Sequence, residues 1–337
     1  MDQLQRHILE FTHPGCEFIP GKRRASTRDF IFPDQVSPLR SGIRQWNELD
    51  THRRKFIYST GSYIEKFDQA PVTGPISFWG EWEAQSWAEE LAACELKRPK
   101  FVHYPFLDED YQGNRNHNTD PFVYGDHFWY TNCKQKAGGV ASSLANGSVI
   151  LFGTEFKEGF RLDTVFVVGK SWKQKEVSDE ILDSAPKQLR AVNFEHKDLC
   201  SNPDQRYLRF YRGQSYHEDS SFFSFVPCKA SGETPVIHDR LLLDPWTKFH
   251  LTKKPGAKSV CARLFCDEMK AQGVDSLSED KTRWYWRLIA EYCLEQGYQL
   301  ATRIALPNLL RTEDVLIRKS TLWLPCESNQ YVSKPSA

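Results

Sequence analysis

The sequence predicts an α+β fold: a mixed or barrel-like β-sheet in the first half with flanking helices, followed by a second α+β subdomain. Three observations carry this expectation. Val149-Ile150-Leu151-Phe152-Gly153 and Thr164-Val165-Phe166-Val167-Val168-Gly169 are short, β-branched runs punctuated by glycine, the pattern of buried strands. Helical periodicity is clearest in the second half, over 258–272 and 279–296. The chain has 337 residues, beyond the size at which one core grows comfortably, which favours two packed subdomains. The charged stretch Lys173 to Pro186 places the boundary at residues 172–190, giving a β-rich unit over 1–172 and an α+β unit over 190–337.

Taken in order, the first 75 residues are rich in Pro, Gly, Arg and Ser and read as irregular structure with short strands, Arg53–Tyr58 and Ser62–Phe67 being the best ordered candidates. Ile76–Trp79 reads as a strand. Ser86-Trp87-Ala88-Glu89 is a capping-box pattern that opens a helix running to about Leu96. A long loop over 97–135, rich in Asn, Asp, Pro and Gly, ends in a strand near Phe128–Cys133. After the two apolar strands come strands at Tyr207–Arg212 and Phe222–Val226, then the helices over 258–272 and 279–296. Ser276-Leu277-Ser278-Glu279 supplies a capping box for the last helix and Gly297 stands where a C′ glycine belongs. Tyr298–Leu306 and Val315–Leu324 close the fold as strands.

Composition narrows the class of protein. Lys+Arg and Asp+Glu number 44 each, with 40% hydrophobic and 26% charged residues, which is ordinary globular usage. A net charge of zero argues against a protein that coats nucleic acid by bulk electrostatics. Local basic groups, Lys22-Arg23-Arg24 and Arg53-Arg54-Lys55, read either as phosphate contacts or as solvated surface. No run of about 18 uncharged apolar residues and no signal-peptide-like start occur, so no membrane partner is expected. Nine cysteines, an odd number without a CxxC pair, point to reduced, mostly buried thiols and a cytoplasmic location. Cys261 and Cys266 lie about 140° apart on a helix, a poor metal clip.

The unusual quantity is aromatic content: 10 Trp, 13 Tyr and 22 Phe. Phe78-Trp79-Gly80-Glu81-Trp82-Glu83-Ala84-Gln85-Ser86 crowds ring planes and two carboxylates into one turn beside a glycine. Such a cluster suits stacking of a base, with Glu81 reading its edge. The alternative makes Phe78 and Trp82 core and the two glutamates solvated or bonded to a helix start. This segment, together with Gly147-Ser148-Val149-Ile150-Leu151-Phe152-Gly153 and Val165-Phe166-Val167-Val168, resembles the PUA-like barrel superfamily that includes EVE, ASCH and nucleotide-modification-associated domains. The resemblance spans residues 75–170, apart from a long insertion between Leu96 and Val149. It implies recognition of a modified or flipped base, with Trp79, Glu81, Trp82 and Ser86 in the cleft.

Asn114-Arg115-Asn116-His117-Asn118-Thr119-Asp120-Pro121 and Tyr124-Gly125-Asp126-His127 concentrate hydrogen-bonding groups, and Asp120 is a candidate ligand contact; a self-satisfied loop of Asx turns is the alternative. No His, Asp or Cys pair here has metal-ligand spacing, so no metal is expected. In Tyr207-Leu208-Arg209-Phe210-Tyr211-Arg212-Gly213-Gln214-Ser215, alternation sets Arg212 on the face of Leu208 and Phe210. Its guanidinium needs an anion, either a carboxylate of the chain or a ligand phosphate. Phe210-Tyr211-Arg212-Gly213-Gln214-Ser215 resembles the signature of the FRG domain, and Tyr211-Arg212-Gly213 the first motif of arginine-type ADP-ribosyltransferases, in which the strand arginine holds NAD. Here the Ser-Thr-Ser strand of that family is matched only by Ser224, and the Glu-x-Glu motif is missing. Without a Walker A loop, GxGxxG, GxSxG or HExxH, no cofactor is specified.

Three functional expectations follow. The first is a nucleotide- or nucleic-acid-associated protein reading a base between Trp79 and Trp82, with Arg53, Arg54 or Arg212 on phosphate and Gln214 beside it. The second is an NAD- or nucleotide-processing enzyme anchored by Arg212, with its acid among Glu218, Asp219 and Glu233. The third is an interaction or scaffold protein in which every constellation is structural.

Overall fold

A computed structural model describes residues 4–12, 17, 30–31, 41–44, 53–91, 99–111, 118–131, 133, 135, 140–156, 158–173, 184–194, 209–243, 261–263 and 273–317. These residues build two sheets, of seven and nine strands. The seven-stranded sheet runs β14 (Cys261–Arg263), β1 (Ile8–Thr12), β9 (Val149–Phe156), β10 (Gly159–Lys173), β11 (Arg209–Gly213), β8 (Trp129–Tyr130), with β13 (Leu241–Leu243) paired to the start of β10. The nine-stranded sheet runs β15 (Gln299–Ile304), β12 (Val226–Ala230), β5 (Val72–Gly80), β4 (Lys55–Ile64), β7 (Phe101–Asp108), β6 (Ser86–Glu90), β3 (Ser41–Arg44), β2 (Phe30–Ile31), and β16 (Asn308–Leu310) lies parallel to β7. Because β15 also pairs with β4, strands β15, β12, β5 and β4 close into a four-stranded ring. The barrel-like character expected of the first half is thus built by two strands from each half of the chain. Chain segments on either side of residues 172–190 share both sheets: β10 pairs with β11 and β13, β5 with β12, and β4 with β15.

The continuous apolar runs have a simple cause. Along β9, Ile150 and Phe152 enter a core shared with Ile57, Ile76 and Phe78 of the other sheet, while Val149 and Leu151 face a second core. With both faces covered, most positions are apolar, and the polar exceptions, Thr154, Asp163 and Thr164, are buried as well. The second core is closed by α2 (Glu279–Glu295), whose Tyr285, Trp286, Ile289 and Cys293 recur at helical spacing and are buried. Ser278 Oγ accepts the Lys281 N–H at 3.2 Å, and Gly297 takes φ +72° past the helix end, as the capping pattern predicts. A third core, on the far face of β4 and β7, gathers Phe56, Tyr58, Trp79, Trp87 and Phe106 under Val315 of α3 (Thr312–Ile317). The short helix α1 (Lys187–Asn193) buries Leu189 and Val192 in the first core.

Several elements differ from the sequence expectation: β7 (Phe101–Asp108) is an eight-residue strand inside the expected 97–135 loop, and of the expected strand Phe222–Val226 only Phe225, in a bridge to Val165, and Val226, at the start of β12, are extended. Ser86 does not open a helix: residues 86–90 form β6 between β3 and β7, and the Ser86 hydroxyl meets His103 Nδ1 at 2.9 Å across the sheet instead of capping a turn. Residues 53–67 hold one ten-residue strand, Lys55–Ile64, because pairing with β5 runs unbroken from Lys55 to Tyr63 and β15 pairs with Ile64. Cys261–Arg263, inside the expected 258–272 helix, pairs antiparallel with β1, and the rest of that segment lies outside the described residues. Val315 belongs to α3 and not to a strand, and residues beyond 317 lie outside the described residues.

Candidate functional site

The Trp-Gly-Glu-Trp-Glu turn follows β5 between the sheets, where there is little water to solvate its charges. Trp82 is fully buried, its Nε1–H donating to the Gln85 carbonyl at 2.7 Å and its ring set against Phe122 and Tyr124. Trp79 is 3% exposed, donates to the His238 carbonyl and packs on Phe56. Both rings are filled by protein neighbours and present no open stacking platform, which corrects the aromatic cleft expected there. Glu81 accepts from Arg54 Nη1 at 2.9 Å, and Glu83 lies 3.9 Å from Lys55 Nζ, all four side chains being at most 1% exposed. Arg54 also pairs with Asp163 of β10 at 2.8 Å, and Asp163 receives Arg240 Nε and Nη2, both at 2.6 Å, with Thr154 completing the set. Arg54 is therefore a buried strut between the sheets and not a surface phosphate contact. Its neighbour Arg53 is half-buried at the surface end of the same segment, its carbonyl accepting from Lys55.

Asp120 is likewise enclosed. Its carboxylate accepts from the Asn118 amide, the Thr131 N–H and hydroxyl, and the Cys133 N–H, while Asn193 of α1 ties Thr119 and Thr131 into the same knot. Every lone pair has a use inside the fold, so the hydrogen-bonding density of this loop is spent joining β8 to α1. Residues 112–117 of the loop, and Lys22-Arg23-Arg24, lie outside the described residues.

Arg212 differs from these groups. It stands near the end of β11, with Phe210 buried against Phe194 on the same face and Tyr211 stacked on Tyr130 on the other, so alternation delivers its guanidinium to the lip of the sheet. Gly213 lets the chain turn there: a Cβ would stand 2.7 Å from Ser224 Oγ and 3.2 Å from Phe166. Ser224 is buried and latches the Val167 backbone, accepting its N–H at 2.9 Å. Half-buried Gln214 continues this lattice, donating its N–H to the Val167 carbonyl and accepting from Ser224 N–H. The following turn folds Glu218 back onto Arg212. Glu218 Oε1 meets Arg212 Nη2 at 2.5 Å, and Oε2 receives Ser215 N–H at 3.0 Å and Ser215 Oγ at 3.1 Å, with His127 Nδ1 at 3.7 Å. The side chains of Arg212, His127 and Glu218 are 18%, 27% and 33% exposed, so the cluster opens to solvent. Arg212 Nε and His127 Nδ1 are enclosed atoms that make no hydrogen bond among the described residues.

Electrostatics set the charge states. Burial of the Glu218 carboxyl works upward, but the Ser215 N–H, the Arg212 guanidinium and His127 outweigh it and hold the group below its ordinary value. Burial first, then the adjacent Arg212, hold His127 below its ordinary value. Near neutral pH the arrangement is thus an anion seated among one guanidinium, one backbone N–H, one hydroxyl and one neutral imidazole.

The sequence isolates Arg212 but does not pair it with His127, which is 85 positions away and reaches the site only because β8 neighbours β11. One signal was available for Glu218: Ser215-Tyr216-His217-Glu218 has capping-box spacing, and here it closes a turn instead of a helix. Among the described residues no group of three or more His, Cys, Asp or Glu is placed to hold a metal, and no helix is long and apolar enough to cross a membrane. Cys228 and Cys293 are fully buried, and burial pushes both thiols well up. No protein-family model, curated protein or solved structure matches this chain.

Proposed function

We propose that this chain binds a phosphate-bearing ligand of the nucleotide class at the Arg212, Ser215 and His127 cradle, with Glu218 acting as a displaceable internal anion. One observation carries the reading: a carboxylate that is a third exposed collects the donors a phosphate group uses, namely a guanidinium, a backbone N–H and a hydroxyl. A phosphate entering from solvent replaces Glu218 at those donors, beside His127. The nucleotide class follows the likeness of Tyr211-Arg212-Gly213-Gln214-Ser215 to motifs whose strand arginine holds NAD. Exposed His217 and half-buried Tyr216, beside Ser215, supply ring surface for the rest of such a ligand.

Isothermal titration with inorganic pyrophosphate, ADP-ribose and NAD tests the reading. Binding is expected to be lost in Arg212→Ala and tightened in Glu218→Gln, which removes the competing charge. Absence of binding by all three, or a Glu218→Gln protein that binds more weakly, overturns it. Following NAD by chromatography in the same samples decides whether binding is accompanied by cleavage.

A further inference from the structure

A second site stands apart from Arg212, where β12 and β13 meet the end of α2. A groove of about 610 Å³ lies there, within the usual range for small-molecule sites. Cys228 points into the core, so alternation turns Lys229 outward into this groove. Its ammonium donates to the Gly297 carbonyl just past α2 and sits 4.2 Å above the Tyr298 ring. These partners supply only partial negative charge. Among the described residues Lys229 makes no ion pair, although other half-buried cations nearby do, Arg161 with Asp239 for example. A half-buried ammonium without a counter-ion, facing a groove of ligand size, is the feature the fold leaves unexplained.

We propose that this groove binds a small organic monocarboxylate, its carboxylate on Lys229 and its apolar part against Leu242 and the Tyr292 ring. The tyrosine hydroxyls donate to backbone, Tyr292 to the Leu242 carbonyl and Tyr298 to the Asp239 carbonyl, which fixes the rings as walls. Charge count selects a monoanion: among the described residues Lys229 is the one cation lining the groove, and exposed Glu158, also lining it, repels a second negative charge. The Gln296 amide, in the same lining, is left for a polar substituent. Burial holds the Lys229 amine below its ordinary value, so a bound carboxylate raises it.

The test uses the full chain labelled with ¹³C-lysine, with the Lys229 side-chain signal followed by NMR during titration with benzoate, benzamide and inorganic phosphate. Benzoate is expected to shift the signal and raise its titration midpoint, with benzamide inert and phosphate weaker than benzoate. Lys229→Met should weaken benzoate binding by at least about tenfold while leaving pyrophosphate binding at Arg212 unchanged. No shift with benzoate, an equal response to benzamide, or phosphate binding as tightly as benzoate overturns the proposal. The comparison of benzoate with benzamide is made on the unaltered protein and stands even where the variant fails to fold.

Discussion

Arg54 and Asp163 meet at 2.8 Å with their side chains 1% exposed, joining the segment that leads into β4 of the nine-stranded sheet to β10 of the seven-stranded sheet. Asp163 simultaneously holds Arg240, so one carboxylate compensates two buried guanidiniums, and Glu81 supplies the remaining charge on Arg54. Asp163→Ala should therefore cost about 3–5 kcal/mol in urea unfolding, since it strands buried charge. Asp163→Leu combined with Arg240→Met should recover part of that loss, which a double-mutant comparison measures.

His127 should titrate below about 6.5, the ordinary histidine value. Arg212→Ala removes a neighbouring cation and should move the midpoint up, whereas Glu218→Gln removes an anion and should move it down. Proton NMR of the imidazole reads both. Midpoints that stay fixed in both variants would dissolve the cluster as an electrostatic unit.

pH dependence follows from the same shifts. His127 and Glu218 both have folded values below their unfolded ones, so the stability each contributes is present above the unfolded value and declines as pH falls through the folded value. Anion binding runs the other way: as pH falls, His127 gains charge and Glu218 loses its own, so pyrophosphate affinity should rise. Titrations across the range that keeps the protein folded check this.

Gly213→Ala should destabilise by about 1–3 kcal/mol, because the added methyl meets the Ser224 hydroxyl already engaged with Val167. Thermal unfolding measures it, and combining the change with Ser224→Ala should relieve part of the strain.

Trp82→Ala should cost about 3–5 kcal/mol in unfolding while leaving pyrophosphate affinity unchanged, because the ring is core and not cleft. Selective loss of nucleotide binding with stability retained would return the aromatic turn to the site.

Local signals were legible where the local energy decides. Ser278 and Gly297 bracket α2 because caps satisfy backbone groups within a turn of themselves, and the Val149 and Thr164 runs are strands because both faces are covered. The same kind of signal misled at Ser86, where cross-strand pairing and His103 claim the residues that a capping box would use. Arg212 was legible as a cation on an apolar face; the identity of its partner was not.

By itself the sequence determined an α+β chain with a β-rich first half, a strongly capped late helix, buried apolar strands and an arginine set apart by alternation. The tertiary structure alone decided that β12 and β15 close a ring with β4 and β5, that Arg54, Glu81 and Asp163 form a buried strut, and that His127 and Glu218 converge on Arg212. The physical reason is range: capping and alternation act over a few residues, whereas strand pairing and the compensation of buried charge join groups tens to hundreds of positions apart, where spacing along the chain carries no trace of them.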